Sequence, residues 1–460
     1  MSSHGEKQLG PHSEKPVDEE IVRPATEVTG KPWMYKRPKI GSFALPYYAS
    51  PASQLLLVSF VCFLCPGMFN ALNGLGGGGQ QSSHAINVGN TALYSTFAVV
   101  GFAAGSIANR IGLRWTLLFG GFGYFLYVGS MLSYNHNRNL GFLTFAGALL
   151  GACAGCLWCA QGAVMMSYPD EKSKGKYISW FWIIFNLGGV IGGLVPLFQT
   201  LNVKEGRAVG DATYIAFMVL MFIGFVLCFF LVESKYVRRE DGSQVIVMKN
   251  PSWWSEIKGL GEVLISDWYI VALFPMFIAS NWFYAYHFNN VNGARFNIRT
   301  RALNSCLYYL AQMFGAFIFG YMLDTPSLRR TTRARLGLGV LFVFTLAVWG
   351  GGYAWQRQYT RADTAPKDSP RIDFEDSDYV GGMFLYIFYG VYDAAYQTCV
   401  YWFMGALSNN SRKLANFAGF YKGLQSAGGA ATWQGFSMVV ADDVQDRQRG
   451  SYFDLDVDAM

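Results

Sequence analysis

Charge is what this sequence has least of. Only 14% of its 460 residues are Asp, Glu, Lys or Arg, whereas 52% are hydrophobic and 17% aromatic. A soluble domain carries about a quarter charged residues, so the shortage excludes a soluble globular protein and predicts an all-α, polytopic membrane protein. Long basic runs are missing too. The net charge of +6 is made of short clusters between apolar runs, which membrane topology explains, so nucleic acid is excluded as a partner. The first fifty residues contain no apolar h-region, and no signal peptide is predicted. They are polar and rich in proline and charge; 1–40 reads as a disordered cytosolic tail, and the tail domain is drawn over 1–50. There is no nucleophile–base–orienter set, no metal cluster and no cofactor motif, so neither an enzyme nor a cofactor is expected.

The eight cysteines, Cys62, Cys65, Cys153, Cys156, Cys159, Cys228, Cys306 and Cys399, all lie in apolar runs. Two groups have CxxC-like spacing. A metal or redox site needs a polar, reachable setting and, for zinc, usually four ligands. Small residues on a packed membrane helix are the simpler reading.

What is present is a series of eleven apolar spans: 54–73, 88–109, 113–133, 140–165, 177–199 and 211–233, then 266–288, 302–323, 335–355, 379–405 and 413–434. Each is about long enough to cross a bilayer as a helix. They divide the chain into a first half over 51–233, a cytosolic connector over 234–265, a second half over 266–434 and a polar tail over 435–460. A twelfth span is expected, but nothing after Trp433 can cross a bilayer; a truncated or misread C-terminus is favoured over a true eleven-span design. Basic residues fall in every second loop: Lys36, Arg37 and Lys39; Arg110 and Arg114; Lys172, Lys174 and Lys176; Lys235, Arg238 and Arg239; Arg329, Arg330, Arg333 and Arg335; Arg412 and Lys413. These loops and the N-terminus are therefore placed in the cytosol. Arg295, Arg299 and Arg301 break the pattern on the opposite side.

The halves repeat weakly. Gly105, Asn109 and Arg114 at the end of span two align with Gly320, Asp324 and Arg329 at the end of span eight, and Gly151 aligns with Gly390. Two parallel six-helix halves joined by a central connector form a known transporter architecture. In the connector, Trp253, Ile257, Leu260 and Leu264 share one helical face, which predicts a short helix lying on the cytosolic surface.

The stretch 54–80, QLLLVSFVCFLCPGMFNALNGLGGGGQ, places proline, asparagine and glycine at membrane depth. Irregular backbone there must be packed in protein or line a wet cavity. Gly74, Gly76 and Gly79 formally satisfy GxGxxG, but they follow a membrane helix rather than a strand, and no Lys-Ser/Thr follows; dinucleotide and P-loop readings are excluded. A flexible outer connection and a mobile outer gate both remain open.

Asp393 lies midway in span ten with no compensating charge nearby in sequence, and Lys422 lies at similar depth in span eleven. Intramembrane charges are costly and are functional candidates by default. The two are expected to approach each other directly or through substrate or water, either as a structural pair or as a coupling or substrate site. Tyr396 and Gln397 share the face of Asp393, with Tyr386 and Tyr389 near it. Asn70, Asn73, Gln161, Asn186, Asn281, Gln312 and Gln425 complete a set of polar span residues. Singly each reads as an interhelical hydrogen bond; together they suit a central polar cavity. Trp282, Tyr284, Tyr286 and His287 could line its mouth, although an interfacial role fits His287 better.

The segment 105–114 resembles the cytosolic loop signature of the major facilitator superfamily, G-x-x-x-D-R-x-G-R/K-R/K. Gly105, Arg110, Gly112 and Arg114 match; Asn109 replaces the usual aspartate and Leu113 a usual base. Asn109 carries no charge for that gate, and Asp324 keeps the acid in the second half. The run 65–80 (CPGMFNALNGLGGGGQ), with Tyr392-Asp393-Ala394 and 401–409 (YWFMGALSN), resembles the fungal branch of the uncoordinated-93-like, ion-channel-regulatory family within that superfamily. The likeness covers 53–432. It implies a two-half helical bundle in a lipid bilayer. It also implies either alternating-access transport of a small solute or an accessory role toward a partner membrane protein. Asn409, Asn410 and Ser411 form a glycosylation sequon on a loop placed in the cytosol. Peptide mapping after glycosidase treatment should find it unmodified; a glycan there would invert the topology.

Overall fold

The computed structural model describes residues 30–79, 84–169, 174–202, 209–245, 258, 261–262, 264–323, 325, 327–364, 369–407, 417 and 419–435. Their main elements are eleven helices, each corresponding to one expected span. Helix α1 (Pro51–Gly74) begins at Ser50, whose hydroxyl accepts from the Ser53 N–H, with Pro51 at the first helical position. Pro66 has no N–H to give, and the chain passes it in a π turn over Phe63–Gly67, a widening that relieves the clash with the preceding turn. Helices α2 (His84–Ile111) and α3 (Leu113–Asn137) meet at Gly112, whose φ of 86° suits glycine. Then come α4 (Leu140–Ser167), α5 (Lys174–Thr200) and α6 (Asp211–Leu227). Helix α7 is broken: Trp268–Ala279 gives way at 280–283 to a second piece that is π-wound over Tyr286–Gly293. Helices α8 (Ile298–Leu323), α9 (Arg330–Gln356), α10 (Tyr379–Leu407) and α11 (419–435) follow.

Among the described residues, α1, α3, α4, α5, α6, α8 and α9 are long and apolar enough to cross a bilayer by composition alone. The other four carry further polar or irregular features: Asn87 and Asn90 in α2, the break in α7, Asp393 in α10 and Lys422 in α11.

Each half has its own core. In the first, α4 lies along α2 and α3, and α3 lies on α6; in the second, α8 and α9 lie against α10. The expected repeat has a physical counterpart. A Cβ on Gly151 would sit 2.1 Å from the Leu93 carbonyl oxygen of α2, and one on Gly390 2.4 Å from the Tyr308 carbonyl oxygen of α8. Both helix pairs therefore touch backbone to backbone at matching positions. Two seams join the halves. At one, Gly189 and Gly193 of α5 lie under Tyr309 and Cys306 of α8; at the other, Gly423 of α11 faces Phe102 of α2, and Trp433 stacks on Tyr94 with centroids 6.4 Å apart. The cysteines serve these contacts: Cys65 fills the space over Gly224, and Cys153 the space over Gly123.

The expectation of a disordered tail to residue 50 is corrected from Gly30 onward. Residues 30–50 fold over the end of the bundle where α1 starts, here called the proximal end, because their backbone is paired there. A hairpin of β1 (Lys39–Ile40) and β2 (Phe43–Ala44) is the one small sheet among the described residues. The Tyr47 hydroxyl donates to the Arg238 carbonyl at 2.7 Å, the Arg238 N–H donates to the Ala49 carbonyl at 3.1 Å, and the Tyr35 hydroxyl donates to the Tyr236 carbonyl at 2.8 Å. Arg239 in turn donates to the carbonyls of Ser167 and Tyr168 at the end of α4. Trp253, Ile257 and Leu260 of the expected surface helix lie outside the described residues, as do the 408–416 sequon loop and the tail after 435.

At the opposite, distal end, the three arginines that broke the charge pattern are structural. Arg295 lies over the Tyr359 ring at 4.7 Å. Arg301 is buried in the seal described below. Arg299, also buried, donates to Asp373 in the α9–α10 loop through Nε at 2.9 and 3.0 Å, and to the Leu201 carbonyl at 2.9 Å. Burial pushes the Asp373 carboxyl up, but the hydrogen bonds and charge of Arg299 and its other donors outweigh it and hold it below the usual range. The sign follows. A depressed carboxyl contributes stability above its unfolded value of about 3.9, lost as pH falls through the lower folded value. Arg299 also pairs with Glu375 at 3.1 Å, so Asp373→Asn does not strand it and should cost about 1.5–3 kcal/mol, the worth of a hydrogen bond to a charged group. Thermal unfolding at neutral pH should show the loss, and the gap to the parent should narrow on acidification.

Candidate functional site

A cavity of about 390 Å³ lies between the halves. Its walls come from the middle and proximal parts of the helices. Pro66, Phe69 and Asn70 line it from α1, and nothing beyond Asn70; α8 contributes Gln312 to Gly320 and α10 contributes Asp393 to Trp402, with no lining residue from their distal halves. The break in α7 sets Asn281 and Tyr284 into the wall. Irregular backbone facing a cavity is where a membrane protein tolerates it.

Asp393 is buried at one side. Its Oδ2 accepts from Tyr284 Oη at 2.9 Å, Tyr308 Oη at 3.1 Å and Gln312 Nε2 at 2.5 Å; its Oδ1 accepts from Gln397 Nε2 at 3.2 Å. These donors come from α7, α8 and α10 itself, so the carboxylate ties three helices together. Lys422 stands on α11 among aromatic rings, with Nζ 5.1 Å from the Trp158 centroid, 4.9 Å from Tyr421 and 5.6 Å from Tyr401. It donates to Gln425 Oε1 at 2.9 Å. Gln425 Nε2 donates to Gln397 Oε1 at 3.2 Å, and Gln397 Nε2 donates to Asp393. The two charges are thus joined by a chain of two side-chain amides rather than a direct ion pair. The ends fix its direction: a carboxylate needs an N–H beside it and an ammonium needs a carbonyl. Tyr421 Oη braces the middle, donating to Gln397 Oε1 at 2.6 Å.

The distal end is sealed by the glycine block. Residues 74–79 are buried, which corrects the flexible-connection reading. Gly76, Gly77, Gly78 and Gly79 all have positive φ, from 54° to 77°, and a Cβ on Gly76 would lie 2.2 Å from the Phe288 carbonyl oxygen. Only glycine fits there. The second half grips this backbone. Arg301 donates to the carbonyls of Leu75 and Gly76. Asn292 donates to the Gly74 carbonyl at 2.7 Å, and Asn289 Oδ1 accepts from the Gly77 N–H at 2.6 Å. Asn289 Nδ2 also donates to Asn87 of α2 at 2.7 Å.

The expected residues divide. Asn70, Asn186, Asn281, Gln312, Asp393, Gln397, Lys422 and Gln425 surround one cavity. Asn73 does not: its Oδ1 accepts from Asn90 Nδ2 at 3.3 Å, on the side of the seal. Gln161 does not either; it is buried and contacts Met165 of its own helix. His287 is neither at the mouth nor interfacial. It is buried, stacked on Tyr389 at 3.8 Å between centroids. Of the loop signature, Gly105 lies in α2, Arg110 is exposed at its end, Gly112 forms the turn, and Arg114 donates to the Phe229 carbonyl at 2.8 Å. Asn109 lies within α2. Gly320 lines the proximal cavity, and Asp324 lies outside the described residues. Sequence reasoning did not pick out Tyr308, Trp158, Trp182 or Tyr94, and it met Arg301 only as a breach of the charge pattern. Tyr308 precedes Gln312 by one helical turn, a signal that gains meaning only once α8 is known to face α10.

A model of the Major Facilitator Superfamily matches residues 55–432. An UNC93-like protein of Schizosaccharomyces pombe is 50% identical over 402 residues, 87% of this chain and 80% of the relative. UNC93-like protein 1 of Arabidopsis thaliana is 45% identical over 389 residues, 84% of each chain. The xylose transporter XylE from E. coli, in a partially occluded inward open conformation, superposes with a TM-score of 0.57 at 14% identity, covering 84% of this chain and 92% of its own. The fucose:proton symporter FucP from E. coli gives 0.54 at 13% identity, covering 87% and 93%. At these identities the two structures share the fold. The bundle is that of an integral, multi-pass membrane transporter class. Within that class, the chain belongs to the Major Facilitator Superfamily and to its UNC93-like members.

Arg301→Ala removes the guanidinium that holds two glycine-block carbonyls. Hydrogen bonds to charged groups are worth about 1.5–3 kcal/mol, so amide hydrogen exchange at 74–79 should speed up at least about tenfold. Unchanged exchange would show that the seal does not depend on this side chain.

Proposed function

We propose that this chain is a secondary transporter that moves one small solute by alternating access between its halves, with the N-terminus in the cytosol. The observation that carries the reading is the cavity between the halves: closed at the glycine end, reaching toward the proximal end, and containing the Asp393–Gln397–Gln425–Lys422 chain. Its volume falls within the range of about 300–1,000 Å³ found for small-molecule sites. The orientation is supported by Arg110, Arg114, Arg238, Arg239, Arg329, Arg330, Arg333 and Arg335, which gather at the proximal end, while at the distal end Arg295, Arg299 and Arg301 are engaged in structural contacts. The cavity then opens toward the cytosol, and the glycine block with Arg301, Asn289 and Asn292 forms the outer gate. Asp393, Lys422, Asn70, Gln397 and Gln425 are the solute or coupling residues. Asn73 and Gln161 support the surrounding helices. The α2–α3 turn, with Gly105, Asn109, Arg110, Gly112 and Arg114, acts with Gly320 and Asp324 at the inner gate.

Uptake by cells lacking the chain and by cells complemented with it, profiled against a metabolite panel, tests this. One solute should depend on the chain. Asp393→Asn and Lys422→Gln, expressed at parental levels, should each lower its uptake about tenfold or more, about 1.4 kcal/mol in the transport barrier. Full transport by both variants would refute the assignment of these residues. A membrane protein co-purifying in fixed ratio, with no solute affected, would favour the accessory role.

A further inference from the structure

The two buried charges are not equivalent from the standpoint of a solute. A carboxylate offers about four acceptor positions, and Asp393 already has four donors on it: Tyr284, Tyr308, Gln312 and Gln397. A cationic solute would have to strip it first. Lys422 has three N–H donors and, among the described residues, one hydrogen bond, to Gln425. The rings of Trp158, Tyr401 and Tyr421 stabilise its charge through their faces but accept no conventional hydrogen bond from it. The side chain lines the cavity, so its two spare donors have the cavity as their outlet. On α5, Asn186 is buried and lines the same cavity, and its Oδ1 has no hydrogen-bond partner among the described residues. A buried acceptor left unmatched costs roughly 1–3 kcal/mol, and a solute donor would recover that.

We infer that the solute is a small organic anion whose carboxylate or phosphate oxygens bind Lys422, whose flat body lies among the aromatic walls formed by Trp158, Trp182 and Tyr284, and whose hydroxyl or amino group donates to Asn186. This rests on the transport reading and names the class of solute. The anion takes the two N–H groups that Gln425 leaves free, as charge-assisted hydrogen bonds. The Gln425–Gln397 chain holds Lys422 in place from behind by anchoring it to Asp393. A neutral hydroxylated solute would displace water from the ammonium without supplying the opposite charge.

The test uses the full chain purified in detergent, with 4-hydroxyphenylacetate, 4-hydroxyphenylacetamide and 4-hydroxyphenyl phosphate as probes, read by thermal shift and by titration calorimetry. The carboxylate, the phosphate or both should bind, and the isosteric neutral amide should not; the two anions distinguish the headgroups. Lys422→Gln should weaken anion binding roughly thirtyfold or more, the loss that follows removal of one partner of a buried charge pair. Lys422→Arg should keep most of it, and Asn186→Leu should reduce the preference for the hydroxylated probe over phenylacetate. Asp393→Asn/Lys422→Gln, which removes both charges, controls for folding and should also lose the anions. Binding of the amide as tightly as the anions, undiminished anion binding by a folded Lys422→Gln protein, or binding of no anion would overturn the assignment. A neutral solute transported equally by Lys422→Gln would overturn it and leave transport standing. Anion binding with no movement across proteoliposomes would keep the site and remove the transporter.

Discussion

A carboxylate and an ammonium placed in the middle of an apolar bundle have to be solvated by the protein itself. Taking either out of water costs several kcal/mol even after relaxation, and that cost governs the architecture around Asp393 and Lys422. Asp393 is supplied with donors from three helices, and Lys422 with ring faces and an amide oxygen. The groups that meet this cost also set the relative positions of α7, α8, α10 and α11. The polar site therefore acts as a fastener of the second half.

The other constraint is close approach. Without a hydrophobic drive between helices in lipid, association relies on packing and on small residues at the contacts. Gly151 and Gly390 let paired helices meet at backbone distance in each half, while at the seams between halves Gly189 and Gly423 make room for the rings of Tyr309 and Phe102, and Gly193 for Cys306. Those seams carry few charged contacts among the described residues, and the firm polar grip between halves is concentrated at the glycine block. A bundle held tightly at one end and loosely at the other is open toward the loose end.

Much of this was legible in the chain. Eleven spans, the two-half repeat and Asp393 as an isolated charge follow from composition and periodicity alone. The partners of Asp393 were only partly legible. Gln397 shares its helix and could be read four residues on, but Gln312 and Tyr308 arrive from α8 and require tertiary pairing. Asn70 and Asn73 look alike in sequence, yet one lines the cavity and the other bonds Asn90. Both follow the π turn on one helical stretch, Met68–Gly74, so at three residues apart they share a face; they differ in depth, Asn70 ending the cavity wall and Asn73 lying one turn nearer the seal. The glycine run was misread for a different reason. Glycine content signals flexibility in an exposed loop, but the same residues are required wherever backbone must pack on backbone. Likewise Arg299 and Arg301 looked like breaches of the charge rule because sequence does not distinguish a solvated arginine from one buried against carbonyl oxygens.

The glycine block has a further bearing on how such a gate can evolve. Its socket is built from the main-chain carbonyls of Gly74, Leu75 and Gly76 ahead of a run of left-handed glycines, so it offers natural selection little side chain to vary. The tuning of the seal falls to the opposite half, to a guanidinium and two amides. In the proposed outer gate, opening means rehydrating Arg301 together with the amides of Asn289 and Asn292. The cavity occupies a separate layer of the bundle from this distal lock, so the residues of the one can vary without disturbing the other.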